Sequence, residues 1–140
     1  MSRLAAVVQA WLAGERELAP ITGLLGVRPV SLGEGEAVVE MTAGERVHNA
    51  MGTVHGGVLC DLADVAMGVA LATVTADGES FATLQLQIGY LAPVREGVLR
   101  ASARVLHRGK TAAHLECDLH DGEGKLVARA SSVVSIKDSA

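Results

Sequence analysis

The sequence predicts an α+β domain in which an antiparallel sheet of five to six strands wraps its apolar face around one long central helix. Three observations carry that expectation. Residues 56–75 form a long apolar run of helix formers, residues 25–41 read as a hairpin, and residues 81–136 hold four strand-length segments separated by short turns. A chain of 140 residues, 49% hydrophobic and 20% charged, has the size and mix of one domain over 1–140, and no internal repeat or low-complexity tract divides it. With one Trp, one Tyr and one Phe, its core must be built from Val, Leu, Ile and Ala, and oligomerisation would help to bury it.

The N-terminal segment, residues 1–20, places Leu4, Val7, Val8, Trp11 and Leu12 at helical spacing, interrupted by Gly14 and charges. It reads as a short amphipathic helix, too short to span a membrane and without the apolar run and cleavage site of a signal peptide, so a cytoplasmic location is expected. Leu25 to Leu32 is then the hairpin partner of Gly35 to Met41, where Ala37, Val39 and Met41 alternate with Glu36, Val38 and Glu40. Residues 44–54 are rich in Gly and polar side chains and form a loop. From about Gly56 to Thr75 the chain is helical, ended by Thr75, Ala76, Asp77 and Gly78. At roughly 1.5 Å per residue the helix is about 30 Å long, which makes it central in so small a domain.

The four later segments are Phe81 to Leu91, Val98 to His107, Thr111 to His120 and Lys125 to Ile136. Their separators, Pro93 to Gly97, Arg108 to Lys110 and Asp121 to Gly124, are short enough for antiparallel neighbours, so a meander is expected. In the third, Ala113, Leu115, Cys117 and Leu119 oppose His114, Glu116, Asp118 and His120; in the last, Leu126, Ala128, Ala130, Val134 and Ile136 oppose Arg129, Ser131 and Ser135. One sheet face is apolar and the other wet.

The formal charge of −4 is unevenly spread: residues 1–94 hold four Lys/Arg against ten Asp/Glu, residues 95–140 eight against six. A nucleic-acid surface would need a clustered basic face and stacking aromatics, so no nucleic acid is expected, and a small phosphorylated ligand suits the mildly basic C-terminal third better. Cys60 and Cys117 lie in apolar segments and read as buried free thiols. His107, His114, Cys117 and His120 look dense enough for a metal. Strand alternation sends Cys117 to the face opposite His114 and His120, however, so four ligands cannot converge. With no GxSxG elbow, GxGxxG or Walker lysine, serine-hydrolase, dinucleotide and P-loop readings lack support, and no bound cofactor is implied.

The candidate chemistry sits between His48 and Val74. Asp64 is a lone carboxylate on the central apolar helix, and burial there demands a partner, a hydrogen bond or a shifted pKa. It is a functional candidate, although Ser, Thr or backbone donors would satisfy it equally well in a purely structural role. Gly56 and Gly57 stand where the helix begins. Their N–H groups read as unpaired donors at the positive end of the dipole, with no side chain to block an approaching oxyanion. Gly57, Asp61, Asp64 and Gly68 form one stripe of small or acidic residues flanked by Val58, Leu62, Val65 and Val69, along which a substrate would lie. Asp61 is more simply a charge favoured by the dipole, Asn49 a loop brace, and the diglycine a tight turn. Thr83, Gln85 and Gln87 are expected to line one face of a strand.

The order Asn49-Ala-Met-Gly-Thr-Val-His55-Gly56-Gly57, then Asp64, Tyr90-Leu-Ala-Pro93 and Arg108-Gly109-Lys110-Thr111, resembles the hot-dog fold acyl-CoA thioesterases. Specifically, it resembles the PaaI-like (phenylacetate pathway) group and its 4-hydroxybenzoyl-CoA thioesterase relatives, over about residues 22–136. The resemblance implies a catalytic carboxylate at Asp64, acting as nucleophile or general base, and an oxyanion donor at Gly56. It implies a residue orienting water or thioester at Asn49, and a hydroxyl beside the carboxylate at Thr83. His55 holds the turn or touches the thioester oxygen. Asp rather than Glu at position 64 fits the PaaI-like branch. The resemblance further implies a homodimer or a homotetramer built as a dimer of dimers, with each site shared between subunits, so that Asn49 and Asp64 come from different chains.

On that reading Arg108, Lys110 and Thr111 meet the CoA phosphates, with Arg95, Arg100 and Arg104 as weaker candidates; otherwise this turn is an ordinary exposed hairpin. The acyl group is expected to be aromatic or of medium length, from the lining by Gly68, Val69, Leu71 and Ala72 beyond Asp64. A non-catalytic acyl-CoA-binding or regulatory hot-dog domain is the alternative. A hydratase would need a partner His on the helix after Asp64, and none is present.

Overall fold

Residues Gly56–Ala72 form α3, an apolar helix whose Leu59, Leu62, Ala63, Ala66, Met67 and Val69 to Ala72 are all buried. The computed structural model describes residues 2–138; Met1, Ser139 and Ala140, part of the 1–140 span, lie outside the described residues. Around α3 curls one six-stranded antiparallel sheet: β1 (Arg28–Gly33), β2 (Glu36–Ala43), β3 (Glu79–Tyr90), β4 (Gly97–Arg108), β5 (Ala112–His120) and β6 (Leu126–Asp138). The α+β architecture of one long helix wrapped by a sheet is as the sequence predicts. Val39, Met41, Leu99, Ala101, Leu115, Cys117 and Leu119 supply its fully buried inner face. The outer face carries ion pairs between directly opposed residues: Glu40 with Arg28 and Arg100, Arg104 with Glu116, and Asp118 with Arg129. These pairs hold Arg100 and Arg104 on the sheet face.

The strand order is β1-β2-β4-β5-β6-β3, so the expected four-strand meander reduces to β4-β5-β6. β3 lies at the far edge, paired with β6, while β4 returns beside β2. The length of the β3–β4 connection does not discriminate between these topologies. Its six residues, 91–96, reach about 20 Å when extended, and crossing from β3 to β4 over β6 and β5 needs three strand spacings, about 14 Å. Hydrogen bonds from the backbone N–H of Leu91 to the Val127 carbonyl and from that of Val54 to the Val94 carbonyl fasten the crossing segment.

Helix α1 (Arg3–Leu12) matches the N-terminal expectation, capped by the Ser2 hydroxyl, with Val8 and Trp11 buried. A second helix, α2 (Pro20–Leu25), precedes the first strand and takes in Leu25, the first residue of the predicted strand, which begins instead at Arg28. Its signal was present: Pro20 at the first helical position and Gly26 at φ +70° just past the end. At the other end of α3, Thr73 to Thr75 leave the helix as tight turns in which each N–H bonds a carbonyl three residues back. The Thr73 hydroxyl both donates to the Ala70 carbonyl at 2.7 Å and accepts from the Gly35 N–H at 2.8 Å, tying the helix end to the β1–β2 turn. Among the described residues, no helix is long and apolar enough to cross a membrane.

Candidate active site

The loop before α3 folds around Asn49. Its side-chain oxygen accepts from the N–H groups of Met51 (2.9 Å) and Thr53 (3.2 Å), and its amide nitrogen donates to the Thr53 hydroxyl at 3.0 Å. Asn49 is therefore a loop brace within one chain, and one amide hydrogen is left for anything entering the adjoining cavity. That cavity, about 450 Å³, is bounded by Asn49, Gly56, Tyr90 and Pro93.

His55 is the cap of α3. Its Nδ1 accepts the Gly57 N–H at 3.0 Å, which places the ring proton on Nε2 and leaves that N–H as a donor. The expected pair of open donors is thus reduced by one, because the ring of the preceding residue consumes the Gly57 N–H. The Gly56 N–H has no partner among the described residues, and it stands at the positive end of α3. The Tyr90 hydroxyl donates to the Gly56 carbonyl at 2.9 Å, and a Cβ added at Gly56 would lie 2.7 Å from that hydroxyl oxygen. Glycine is required here by the close approach of Tyr90 from β3. Cys60, half-buried rather than buried, sits 3.4 Å from the same hydroxyl. The Tyr90 phenol is pushed up to about 12, first by its hydrogen bond with Cys60 and then by burial, so it remains a donor at neutral pH.

Asp64 is exposed, as are Gly57 and Asp61, and Gly68 is half-buried. The small and acidic stripe of α3 is the face that the chain's own sheet leaves uncovered, which corrects the expectation of a sequestered carboxylate. The Thr83 hydroxyl donates to Asp64 Oδ1 at 3.0 Å. This contact depends on a β-bulge between Thr83 and Gln85. With Leu84 inserted, Thr83 stays on the helix side opposite buried Val134, whereas Gln85 and Gln87 face outward; the three do not share one face. The neighbouring Asp61 carboxyl is raised above its usual range, first by partial burial and then by the Asp64 charge.

Gly56 and Asp64 are separated by eight residues, about 12 Å along the helix axis. They open into different cavities: Asp64 borders a second one, about 210 Å³, walled by α1, α3 and Phe81. One chain therefore cannot bring its own Gly56 N–H and its own Asp64 to one carbonyl, which overturns the expectation of a cleft along the stripe joining the two. At the opposite end of β3 from Tyr90, Arg108 forms an ion pair with Glu79 and donates to the Gly109 carbonyl, holding the Glu79 carboxyl below its usual range. Arg108 is thereby committed within the turn, while Lys110 beside it is exposed and has no partner among the described residues. The Thr111 carbonyl accepts from the Ile136 N–H at 2.9 Å. Among the described residues no three His, Cys, Asp or Glu side chains gather at metal-binding distance, and the His107 and His114 rings lie 6.5 Å apart.

The family model described as the thioesterase superfamily matches residues 51–128, which spans the His55 cap, all of α3, β3, β4 and β5, and the start of β6. The chain belongs to the thioesterase superfamily. Thioester hydrolysis is its chemistry, and the hot-dog fold expected from the Asn49–Asp64 spacing is the fold observed. A 1,4-dihydroxy-2-naphthoyl-CoA hydrolase of Listeria monocytogenes is 30% identical over 113 residues, covering 81% of this chain and 92% of its own. Human acyl-coenzyme A thioesterase 13 is 35% identical over 102 residues, covering 71% and 72%. The PaaI protein of E. coli, from the phenylacetic acid degradation operon, superposes with a TM-score of 0.82 at 27% identity, covering 94% of each chain.

Sequence reasoning missed two parts of this superfamily member's site. Tyr90 was legible only as part of a motif, because its contact with Gly56 joins residues 34 apart. The α1 wall of the Asp64 cavity carried no signal beyond amphipathicity.

Proposed function

We propose that this thioesterase hydrolyses an acyl-CoA with an aromatic or medium-length acyl group, in a site assembled from two copies of the chain. The observation that carries the reading is the division of labour along α3: one free N–H at Gly56, and one exposed carboxylate oriented by Thr83 about 12 Å away. Both groups must lie within about 3 Å of the same carbonyl to act together, so the Gly56 of one copy is served by the partner subunit's Asp64. The edge strand β3 offers the means. It is twelve residues long, unpaired on one side, and carries exposed Leu84 and Tyr90. An antiparallel pairing of two β3 edges centred between Leu86 and Gln87 sets Tyr90 of one copy opposite the partner subunit's Thr83, and thereby Gly56 opposite the partner subunit's Asp64. It also carries the partner's Lys110 turn toward the Gly56 end. A homodimer is the minimum assembly, and a homotetramer of two such dimers is compatible with it.

In this arrangement the thioester oxygen accepts the Gly56 N–H, with the His55 Nε2–H as a second donor in reach of the same turn. The Thr83 hydroxyl occupies Asp64 Oδ1 and leaves Oδ2 free. As general base, Asp64 takes a proton from water as the water oxygen bonds to the carbonyl carbon; when the C–S bond breaks, the proton passes to the departing thiolate. As nucleophile, Oδ2 bonds to the carbon, the thiolate leaves, and water hydrolyses the anhydride. Asn49, with one amide hydrogen free, orients the water or thioester.

The test is thiol release from a panel of acyl-CoA esters. Turnover supports hydrolysis; CoA binding without any thiol release would favour the binding-domain alternative. Sedimentation should show a dimer or tetramer, with turnover per chain falling as dilution dissociates it; a fully active monomer removes the two-copy site. For the nucleotide end, Lys110→Ala should raise KM for CoA esters about ten-fold and move KM for a thioester without the nucleotide less than two-fold. Equal effects on both substrates would remove the phosphate role of Lys110.

A further inference from the structure

We propose that the N-terminal segment, through α1 and Leu18, selects the acyl group, restricting it to an unsubstituted hydrocarbon about the size of a phenyl ring with one or two further carbons. The inference rests on the thioesterase reading and adds to it the part of the chain that sets specificity. The cavity beside Asp64 has walls from three elements: Leu4 and Val7 of α1 with Leu18 after it, Val65 and Gly68 of α3, and Phe81 of β3. Asp64, at its edge, is the one polar residue among those that line it. An acyl group whose carbonyl meets Asp64 has this cavity directly ahead of it.

The volume sets the size class. An apolar cavity of about 150 Å³ takes one benzene, so about 210 Å³ holds a six-membered ring plus a short link, or a straight chain of roughly six to eight carbons. The lining sets the chemical class. A hydroxyl or carboxylate on the distal part of the acyl group would lose its water and find no donor or acceptor except the Asp64 carboxylate. The α1 wall sets the limit on length, since Leu4, Val7 and Leu18 line the cavity opposite residues of α3 and β3. These residues all lie before residue 51, outside the stretch matched by the family model.

Gly68 is the position at which the limit can be moved. A Cβ there would stand 3.8 Å from Phe81 Cε2, an ordinary contact, so Ala fits and a branched side chain fills the space between them. The experiment compares kcat/KM on acetyl-, hexanoyl-, 6-hydroxyhexanoyl- and dodecanoyl-CoA with the full-length protein. Wild type should favour hexanoyl over dodecanoyl at least ten-fold, and over the hydroxylated chain by roughly ten- to a hundred-fold. Gly68→Val should lower the hexanoyl-to-acetyl ratio at least ten-fold, with Gly68→Ala between it and wild type. Leu4→Ala combined with Leu18→Ala should raise the dodecanoyl-to-hexanoyl ratio about ten-fold. Ratios that stay constant in the Gly68 variants and in the double variant would overturn the proposal while leaving hydrolysis intact. If Gly68→Val does not fold, the Gly68→Ala and double-variant ratios decide. A wild type that releases no thiol from any ester would instead sink the hydrolytic reading beneath it.

Discussion

Asp64→Ala lowers kcat on the best acyl-CoA ester at least a hundred-fold and leaves thermal stability close to wild type. Both halves of this expected result follow from the same geometry. The carboxylate is exposed and makes one hydrogen bond, from Thr83, so its removal leaves no cavity and strands no buried polar group; the hydroxyl turns to water. Its loss also relieves the repulsion that helps to raise Asp61. The chemical step loses its base or nucleophile, which is worth about 10² to 10⁴ in rate. Steady-state kinetics with a melting curve on the same sample check both halves. A variant that keeps its turnover would remove Asp64 from the site, and one that unfolds would make it structural.

Gly56→Ala acts from the opposite end of α3 with an effect of similar size, about a hundred-fold or more in kcat. The new Cβ falls 2.7 Å from the Tyr90 hydroxyl oxygen and 2.9 Å from its ring carbon, closer than atoms tolerate. Either Tyr90 withdraws and gives up its bond to the Gly56 carbonyl, or the first turn of the helix shifts. In both cases the free N–H is re-aimed, and removal of one oxyanion donor alone costs about 10² to 10³. The helix itself does not object, because Ala is the better helix former. Activity should therefore fall far more than stability, read as kcat against the melting temperature.

These two variants together test the two-copy site. In a mixed dimer, the Asp64→Ala chain still offers its Gly56 and the Gly56→Ala chain still offers its Asp64, so one of the two composite sites is intact. Random mixing makes half the dimers mixed, and about a quarter of wild-type activity should return on combining two inactive proteins. No recovery, with subunit exchange verified, would place each site within a single chain.

Much of the fold was legible because its signals are local. The 3.6-residue apolar run over α3, the period of two in β2 and β5, and the turn chemistry at Asp121–Gly124 each reflect a side chain's own neighbourhood. The strand order was not, since six residues of connection reach either the neighbouring strand or one three places away; the choice fell to β3 pairing with β6 across residues 38 to 59 apart. The candidate site divides in the same way. The positions of Gly56 and Asp64 on one helix, eight residues apart, could be read from spacing. That the Gly57 N–H is already taken by His55, that Arg108 is spoken for by Glu79, and that Thr83 faces the helix through a bulge could not.

By itself, then, the sequence determined one long apolar helix with a stripe of glycines and acids, a sheet with one dry face, and the residue types that thioester chemistry needs. Tertiary structure alone decided that the stripe stays uncovered, that Gly56 and Asp64 face different cavities, and that α1 walls the one beside Asp64. The physical reason is range: helix and strand periodicity is written within a few residues, whereas exposure of a helix face depends on where a distant edge strand stops.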